Sequence, residues 1–183
     1  MIDFDGFPRL TTDRLVLREP VTTDAADILV FRSDPVAQRY NSAPLRDLDE
    51  SRGLIEEIRD VYANRAGVIW AVTLAETGRA IGIFGFDGWD TYHRRAQVGY
   101  DLSRDLWGRG LATEALAAIL AYGFSELGLH RVEAQTIADN EESVRLLGRL
   151  GFQREGTRRD HSFEEDGLFH DGAIYGLLAP ERP

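Results

Sequence analysis

The hexapeptide Trp107-Gly108-Arg109-Gly110-Leu111-Ala112 carries the clearest chemical signal in the chain. Two glycines two positions apart strip side chains from the backbone and permit angles that other residues resist. Where such a turn opens a helix, the first amides have no partner within it, point outward together and share the positive end of the helix dipole. That arrangement holds anions, phosphate above all. Arg104 and Arg109 add full positive charge beside the amides. The bland alternative is that the glycines only turn the chain into a buried helix.

The flanking elements favour phosphate. Upstream, Val98, Tyr100 and Leu102 alternate with Gln97, Gly99 and Asp101, which predicts a strand buried on one face. Downstream, Gly110 to Glu126 reads as a long, nearly all-apolar helix, leaving only Glu114, Ser125 and Glu126 for water. A mononucleotide P-loop needs Gly-Lys-Ser/Thr, which is missing here. A dinucleotide turn is closer, since Gly108, Gly110 and Thr113 approximate its spacing and Glu133 follows about twenty residues on. Its context is wrong: the strand is amphipathic and Glu133 falls early in the next strand, where an acid should close it.

These residues resemble the GNAT superfamily of acetyl-CoA-dependent N-acetyltransferases. Its coenzyme A turn, Gln/Arg-x-x-Gly-x-Gly/Ala, is matched at Gly110 and Ala112, with Trp107 at the Gln/Arg position. Trp-Gly-x-Gly-x-Ala-Thr-Glu-Ala resembles the RimJ/RimL-like branch, which acetylates N-termini of ribosomal proteins. Three further segments match: Thr12 to Arg18, Asn140-x-x-Ser143, and Leu150-Gly151-Phe152 followed by Glu155-Gly156. The resemblance runs from about Arg9 to Leu178. It implies one acetyltransferase-like domain over residues 1–183, of mixed α/β (α+β) class. Its sheet would be mixed and six- to seven-stranded, with parallel strands 4 and 5 splayed apart, and carry about four helices.

Composition sets the bounds. The 183 residues are 43% hydrophobic and 28% charged, which suits one soluble globular core. With no cysteine, disulfides, thiolate metal sites and a cysteine nucleophile are excluded. The start, Met-Ile-Asp-Phe-Asp-Gly-Phe, has acid where a leader carries base, and the apolar run Ala115–Phe124 is far short of the roughly twenty residues that span a bilayer, so a cytoplasmic protein is expected. A formal charge of -10 argues against nucleic acid and for a basic peptide, amine or polyamine, although solubility alone explains such a balance equally well.

In chain order, Arg14–Leu17 predicts a first strand and Asp24–Arg32 a short helix with Ile28 and Phe31 inward, stopped at Asp34-Pro35. Asp47 and Glu50 form a capping box for a second helix, with Leu54, Ile58, Val61 and Tyr62 on its inner face. The resemblance implies that these two helices wall the acceptor pocket. Val68–Ala75 and Ala80–Phe86 read as a hairpin about Glu76–Arg79. Asp87–His93 reads as a loop whose Trp89, Tyr92 and His93 cover the sheet edge or line the acceptor site. Arg131–Ile137 reads as a strand parallel to the one before the turn, because a helix joins them. Asp139 or Asn140 caps a helix with Val144, Leu147 and Leu150 inward, and residues 153–163 and 168–178 form a terminal hairpin about Glu164–Gly167.

Acetyl transfer needs a neutral amine, donors for the tetrahedral oxyanion and a proton for the departing thiolate. Backbone amides at Tyr100, Asp101 and Leu102 are expected to polarise the thioester carbonyl. Those of Trp107, Gly108, Arg109, Gly110, Leu111, Ala112 and Thr113 are expected to hold the pyrophosphate, with Arg104, Arg109 or Arg145 for the 3'-phosphate. Asn140 is by default a helix cap, and the resemblance offers it the pantetheine arm. Many superfamily members place a tyrosine acid in this helix, but the spacing here gives Leu147-Gly148-Arg149, which moves proton donation to Ser143. The resembled base position holds Gln97, so Glu155, Glu133 or a water relay are the alternatives. His93, His130, His161 and His170 lack metal-ligand spacing. The site set is thus Ser143, Glu155 and Asn140 for catalysis beside the acetyl-CoA residues, with no metal. A protein N-terminus is the expected acceptor, with a small amine or antibiotic, or a non-enzymatic acyl-CoA-binding module, as alternatives. Relatives in the resembled family often form homodimers.

Overall fold

The computed structural model describes residues 6–164 and 166–179. The acidic start Met1–Asp5, and Glu165 of the expected 164–167 turn, lie outside the described residues. The strands are β1 (Leu10–Thr11), β2 (Leu15–Arg18), β3 (Val68–Leu74), β4 (Ala80–Asp90), β5 (Arg95–Leu102), β6 (Arg131–Ile137), β7 (Gln153–Phe163) and β8 (Phe169–Leu178). The helices are α1 (Ala25–Arg32), α2 (Pro35–Gln38), α3 (Leu48–Ala63), α4 (Leu111–Ser125) and α5 (Glu141–Arg149).

All described strands join one sheet in the order β1-β2-β3-β4-β5-β6-β8-β7. The expected count of six to seven is therefore corrected to eight, because β1 has only two residues and is too short to show alternation. The fifth described helix, α2, is likewise a single turn: Pro35 ends α1 as expected, and Asp34 then caps the amides of Val36 and Ala37 to start a new helix.

The parallel pair is β5 with β6, the strands numbered 4 and 5 in the sequence reading. They pair only at Arg95↔Arg131, Ala96↔Val132 and Gln97↔Glu133. Beyond Gln97, β5 stays bonded to β4 as far as Leu102↔Gly82, and β6 stays bonded to β8 as far as Ile137↔Gly172. The sheet consequently splits along its middle, with each lip held by its outer neighbour. Crossover by α4 makes the pair parallel, as the connection length requires.

Alternation sorts the core. Phe84, Phe86 and Val98 pack with Ala115, Leu116, Ile119 and Leu120 of α4 on one face. Ile83 packs on the other face with Ile28 and Phe31 of α1 and Ile55 of α3. In α3 the buried residues are Ser51, Ile55 and Ile58, so the inner face is turned from the expected one, and Leu54, Val61 and Tyr62 are half-buried. Asp47 caps as expected, but Glu50 accepts from the Arg46 amide at 2.7 Å in place of the cap residue's own. The outer face of α4 is Ala117 and Ala121, small residues tolerable in water, and not the three polar residues alone.

The expected Asp87–His93 loop is in part strand: β4 continues to Asp90 through an irregularity between Asp87 and Asp90. Tyr92 stands 88% exposed and covers no edge, while Trp89 packs against the core.

Candidate active site

Three elements converge where β5 and β6 part: the end of β5, the start of α4 and the start of α5. The turn into α4 adopts the geometry that its glycines allow. Gly108 and Gly110 have φ of +73° and +77°, and a side chain at Gly110 would meet only Arg14 Nη2, at 3.6 Å. Glycine is therefore needed there for its backbone angle and for an open outer face, not to make room for protein. The first helical bond runs from the Glu114 amide to the Gly110 carbonyl at 3.1 Å. Among the described residues the amides from Gly108 to Thr113 meet no acceptor, and Gly110 has no side chain to cap them. Unpartnered amides thus open a helix of fifteen residues, an arrangement that suits an anion.

The turn is braced from the link between β1 and β2. Glu114 accepts from the Thr12 hydroxyl at 2.6 Å, the Arg14 amide at 3.0 Å and Arg14 Nε at 2.7 Å, and Arg14 Nη1 donates to the Arg109 carbonyl at 3.0 Å. Burial pushes the Glu114 carboxyl up, but the Thr12 and Arg14 donors outweigh it and hold the group below its usual range. The Thr12–Arg14 segment, matched in sequence without a role, thus ties the anion turn to the sheet. Trp107 does the same from the other side, its indole Nε1 donating to the Leu102 carbonyl at 2.9 Å.

Of the three arginines expected at the 3'-phosphate, two are engaged. Arg104 bonds Asp34 at 2.6 Å and Arg145 bonds Glu141 at 2.8 Å. Arg109 is exposed, and its guanidinium has no ionic partner among the described residues.

The gap between β5 and α5 is bridged by two hydroxyls. Tyr100 Oη and Ser143 Oγ lie 2.5 Å apart, 43 residues distant in sequence. Ser143 is buried and the Tyr100 ring stacks on Phe84 at 6.0 Å. Burial pushes the Tyr100 hydroxyl up to about 12, the bond from Ser143 opposing it, so the pair carries its protons at any physiological pH. Leu147, at the resembled tyrosine position, is fully buried in the core. A phenol does reach Ser143, from Tyr100 on β5, a contact that sequence spacing along α5 had no means to show.

Asn140 caps α5, its Oδ1 accepting from the Ser143 amide at 3.2 Å, which leaves its Nδ2 for a ligand. Asp101 turns to the opposite face, where its Oδ2 accepts from Arg32 Nη1 at 2.9 Å and Gln38 Nε2 at 2.8 Å. Glu155 lies apart from Ser143, at the closed end of the split. It sits in a bulge of β7 and forms a two-pronged pair with Arg131, through Nη1 at 2.8 Å and through Nη2, and that guanidinium holds its carboxyl below the usual range. Glu133 bonds the same arginine at 2.8 Å. His170 bridges Asp139 at 3.0 Å and Asp166 at 2.8 Å, which raises its pKa. No group of acidic or histidine side chains among the described residues is placed to hold a metal ion, and no described helix is long and apolar enough to cross a membrane.

A split mixed sheet with free amides at the following helix defines an acyl-CoA-dependent transferase fold. The family model for the GNAT acetyltransferase domain matches residues 14–153. The chain is 35% identical over 177 residues to the uncharacterized N-acetyltransferase YoaA of Bacillus subtilis, covering 96% of this chain and 99% of that one. It is 27% identical to the ribosomal protein uS5-alanine N-acetyltransferase of Escherichia coli, covering 94% and 92%. In fold it is similar to RimL, a ribosomal L7/L12 α-N-protein acetyltransferase solved with coenzyme A, with a TM-score of 0.86 at 17% identity over 96% of this chain and 100% of that one. The chain belongs to the GNAT acetyltransferase family and is an N-acetyltransferase whose cosubstrate is acetyl-CoA.

Proposed function

We propose that the acceptor is the α-amino group of a polypeptide N-terminus, acetylated by direct attack on the thioester without a covalent enzyme intermediate. The bridged hydroxyl pair carries the mechanistic half of this reading. A hydrogen-bonded Tyr100–Ser143 couple, neutral and largely out of water, is a proton source at the point where a thiolate must leave. The free amides from Gly108 to Thr113 hold the diphosphate and Arg109 meets the 3'-phosphate, while the stretch Val98–Leu102, bonded to β4 but with no rung to β6, offers main-chain donors on its open side to the thioester carbonyl. Asn140 orients Ser143 through the helix cap and offers Nδ2 to the pantetheine arm.

Support for a polypeptide acceptor comes from the near full-length similarity to an enzyme named for the N-terminal alanine of a ribosomal protein. A charge of -10 suits a basic polypeptide and a cytoplasmic setting, and pairing with a second copy is compatible with it. Glu155 we assign to holding Arg131 and the closed end of the split, since both of its oxygens are taken by that guanidinium, which holds its carboxyl below the usual range and makes it a weak base. The non-catalytic alternative rests on Gln97 and on the lack of a tyrosine in Leu147-Gly148-Arg149, and we assign the Tyr100 hydroxyl to the second of these places. Steady-state release of free coenzyme A is measured across alanine-, serine- and methionine-led basic peptides, polyamines and aminoglycosides. Turnover on the peptides supports the reading. Turnover confined to polyamines or aminoglycosides reassigns the acceptor, and tight acetyl-CoA binding without turnover on any compound overturns it.

A further inference from the structure

The base for the amine is the one chemical part that Ser143, Asn140 and the anion turn do not supply. Gln97 is an amide, and Glu133 and Glu155 are both committed to Arg131 at the closed end of the split. Along the described strand stretches beyond the last rung, Val98–Leu102 of β5 and Ala134–Ile137 of β6, Asp101 is the carboxylate. It lies four positions beyond the last β5–β6 rung at Gln97, between the two residues whose amides flank the expected thioester site. Alternation along β5 points it away from Tyr100, toward α1 and α2.

Its surroundings fix one oxygen and spare the other. Oδ2 accepts from both Arg32 and Gln38. Gln38 is itself buried and locked by donating to the Phe31 carbonyl at 3.1 Å, and Arg32 Nη2 donates to the Ser42 hydroxyl at 2.6 Å. Oδ1 takes no hydrogen bond from any described residue. It is also not sealed in, because the one buried side-chain polar atom without a partner among the described residues is Arg32 Nε. Residue 101 as a whole is 8% exposed. A rigidly held carboxylate thus presents a single open oxygen on the face opposite the hydroxyl pair.

We infer that Asp101 Oδ1 is the acceptor-amine site, binding the incoming primary ammonium and removing its proton. The inference rests on the acetyltransferase reading above and completes it. Two faces of one strand then divide the proton traffic. On the Asp101 face, the ammonium N–H bond breaks and the proton passes to Oδ1, leaving a neutral amine. The amine nitrogen bonds to the thioester carbonyl carbon, and the carbon–sulfur bond breaks as the carbonyl reforms. On the Tyr100 face, the hydroxyl pair protonates the thiolate through Ser143, and the second proton lost from nitrogen restores it. Asp101 returns its proton to water, so the products are the amide, the free thiol and one proton. Burial supports the assignment: it pushes the Asp101 carboxyl up against the opposing bonds from Arg32 and Gln38, making a stronger base than a surface aspartate. Of the described groups bonded to it or paired across from it, Arg32 on α1 is charged, Gln38 on α2 is neutral, and its β4 partner Ile83 is apolar.

The test uses the whole chain, acetyl-CoA and an alanine-led peptide. With Asp101→Asn, kcat/KM for the peptide is expected to fall at least thirty-fold and peptide affinity, read by NMR titration of the coenzyme A complex, at least five-fold. Acetyl-CoA affinity stays within two-fold. Asp101→Glu recovers part of the rate. Should Asp101→Asn fail to fold by circular dichroism, Arg32→Gln decides. Loss of the guanidinium raises the Asp101 pKa further, so the acid limb of kcat/KM moves to higher pH. Unchanged peptide kinetics in Asp101→Asn, an unmoved acid limb in Arg32→Gln, or no measurable peptide binding to the unaltered protein overturns the inference. Loss of acetyl-CoA binding in the unaltered protein instead overturns the acetyltransferase reading itself.

Discussion

The two ends of the β5–β6 pair differ in how their polar groups are spent. At the closed end, three ladder rungs join the strands and Arg131 draws Glu133 and Glu155 into a surface ion-pair network. At the open end the ladder stops, the cross-gap contact is between neutral hydroxyls, and Asp101 keeps an oxygen free of described partners. Charges that neutralise each other hold a sheet together and do little else. Protons that can be moved, and amides left unpaired, are what acyl transfer requires. Substitutions at the two ends should therefore separate cleanly, activity at one and stability at the other.

The largest effect is expected at the anion turn. Gly110→Val forces a β-branched residue to φ near +77°, at a cost of about 1–3 kcal/mol, and puts a side chain beside the amides proposed to hold the diphosphate. Acetyl-CoA affinity by calorimetry should weaken more than about a hundred-fold. Unchanged affinity would place the cosubstrate elsewhere.

Next in size is the hydroxyl pair. Ser143→Ala should lower kcat by about 10²–10³ with little change in the KM for acetyl-CoA, as loss of a positioned proton donor does. Tyr100→Phe should cost less, about ten-fold, because Ser143 remains. With Tyr100 raised to about 12, its folded pKa exceeds its unfolded value near 10. The stability it contributes is fully present below pH 10 and is lost as pH rises from 10 toward 12. A kcat set by this pair shows no alkaline fall below pH 10, and an earlier fall that persists in Tyr100→Phe would point to a different acid.

Arg109→Ala should weaken acetyl-CoA binding about ten- to a hundred-fold while leaving the 3'-dephospho form within about two-fold, since a single charge-assisted contact is worth about 1.5–3 kcal/mol. Equal weakening of both forms removes Arg109 from the 3'-phosphate.

At the closed end, Glu155→Gln should leave kcat/KM within about three-fold and lower stability by less than about 1 kcal/mol in denaturant titrations, because the pair with Arg131 is solvent-exposed. A loss of a hundred-fold or more in kcat would return Glu155 to the chemistry.

The smallest effect concerns the β7–β8 hairpin tip. His170 gains protonation from Asp139 and Asp166, so the order it lends the tip is fully present below its ordinary pKa near 6.5 and fades as pH rises through the raised folded value. Amide exchange at residues 166–170, corrected for its intrinsic pH dependence, should quicken across that range in the unaltered protein and show no such step in His170→Gln.

What the sequence made legible was local. The alternation of Val98, Tyr100 and Leu102 marked β5, the glycine pair marked the anion turn, and Asn140 with Ser143 marked the capped start of α5. Contacts made across the gap were not legible. Nothing near Tyr100 announces that its hydroxyl will meet a serine on another element, and Glu155 read as a free carboxylate because its partner Arg131 lies 24 residues away. Arg104 and Arg145 looked available for phosphate for the same reason. Short elements were missed because two or four residues hold too little periodicity, as with Leu10–Thr11 and Pro35–Gln38. Helix α3 was turned on its axis because Leu54 and Ile55 are both apolar, and only packing decides which one faces the core.

A crystal structure of the chain with coenzyme A bound tests the central claim most directly. The account predicts the diphosphate on the amides between Gly108 and Thr113, the pantetheine arm in the gap between β5 and β6, and the sulfur within hydrogen-bonding reach of Ser143. A diphosphate bound on any other surface, or a sulfur remote from Ser143, would contradict it.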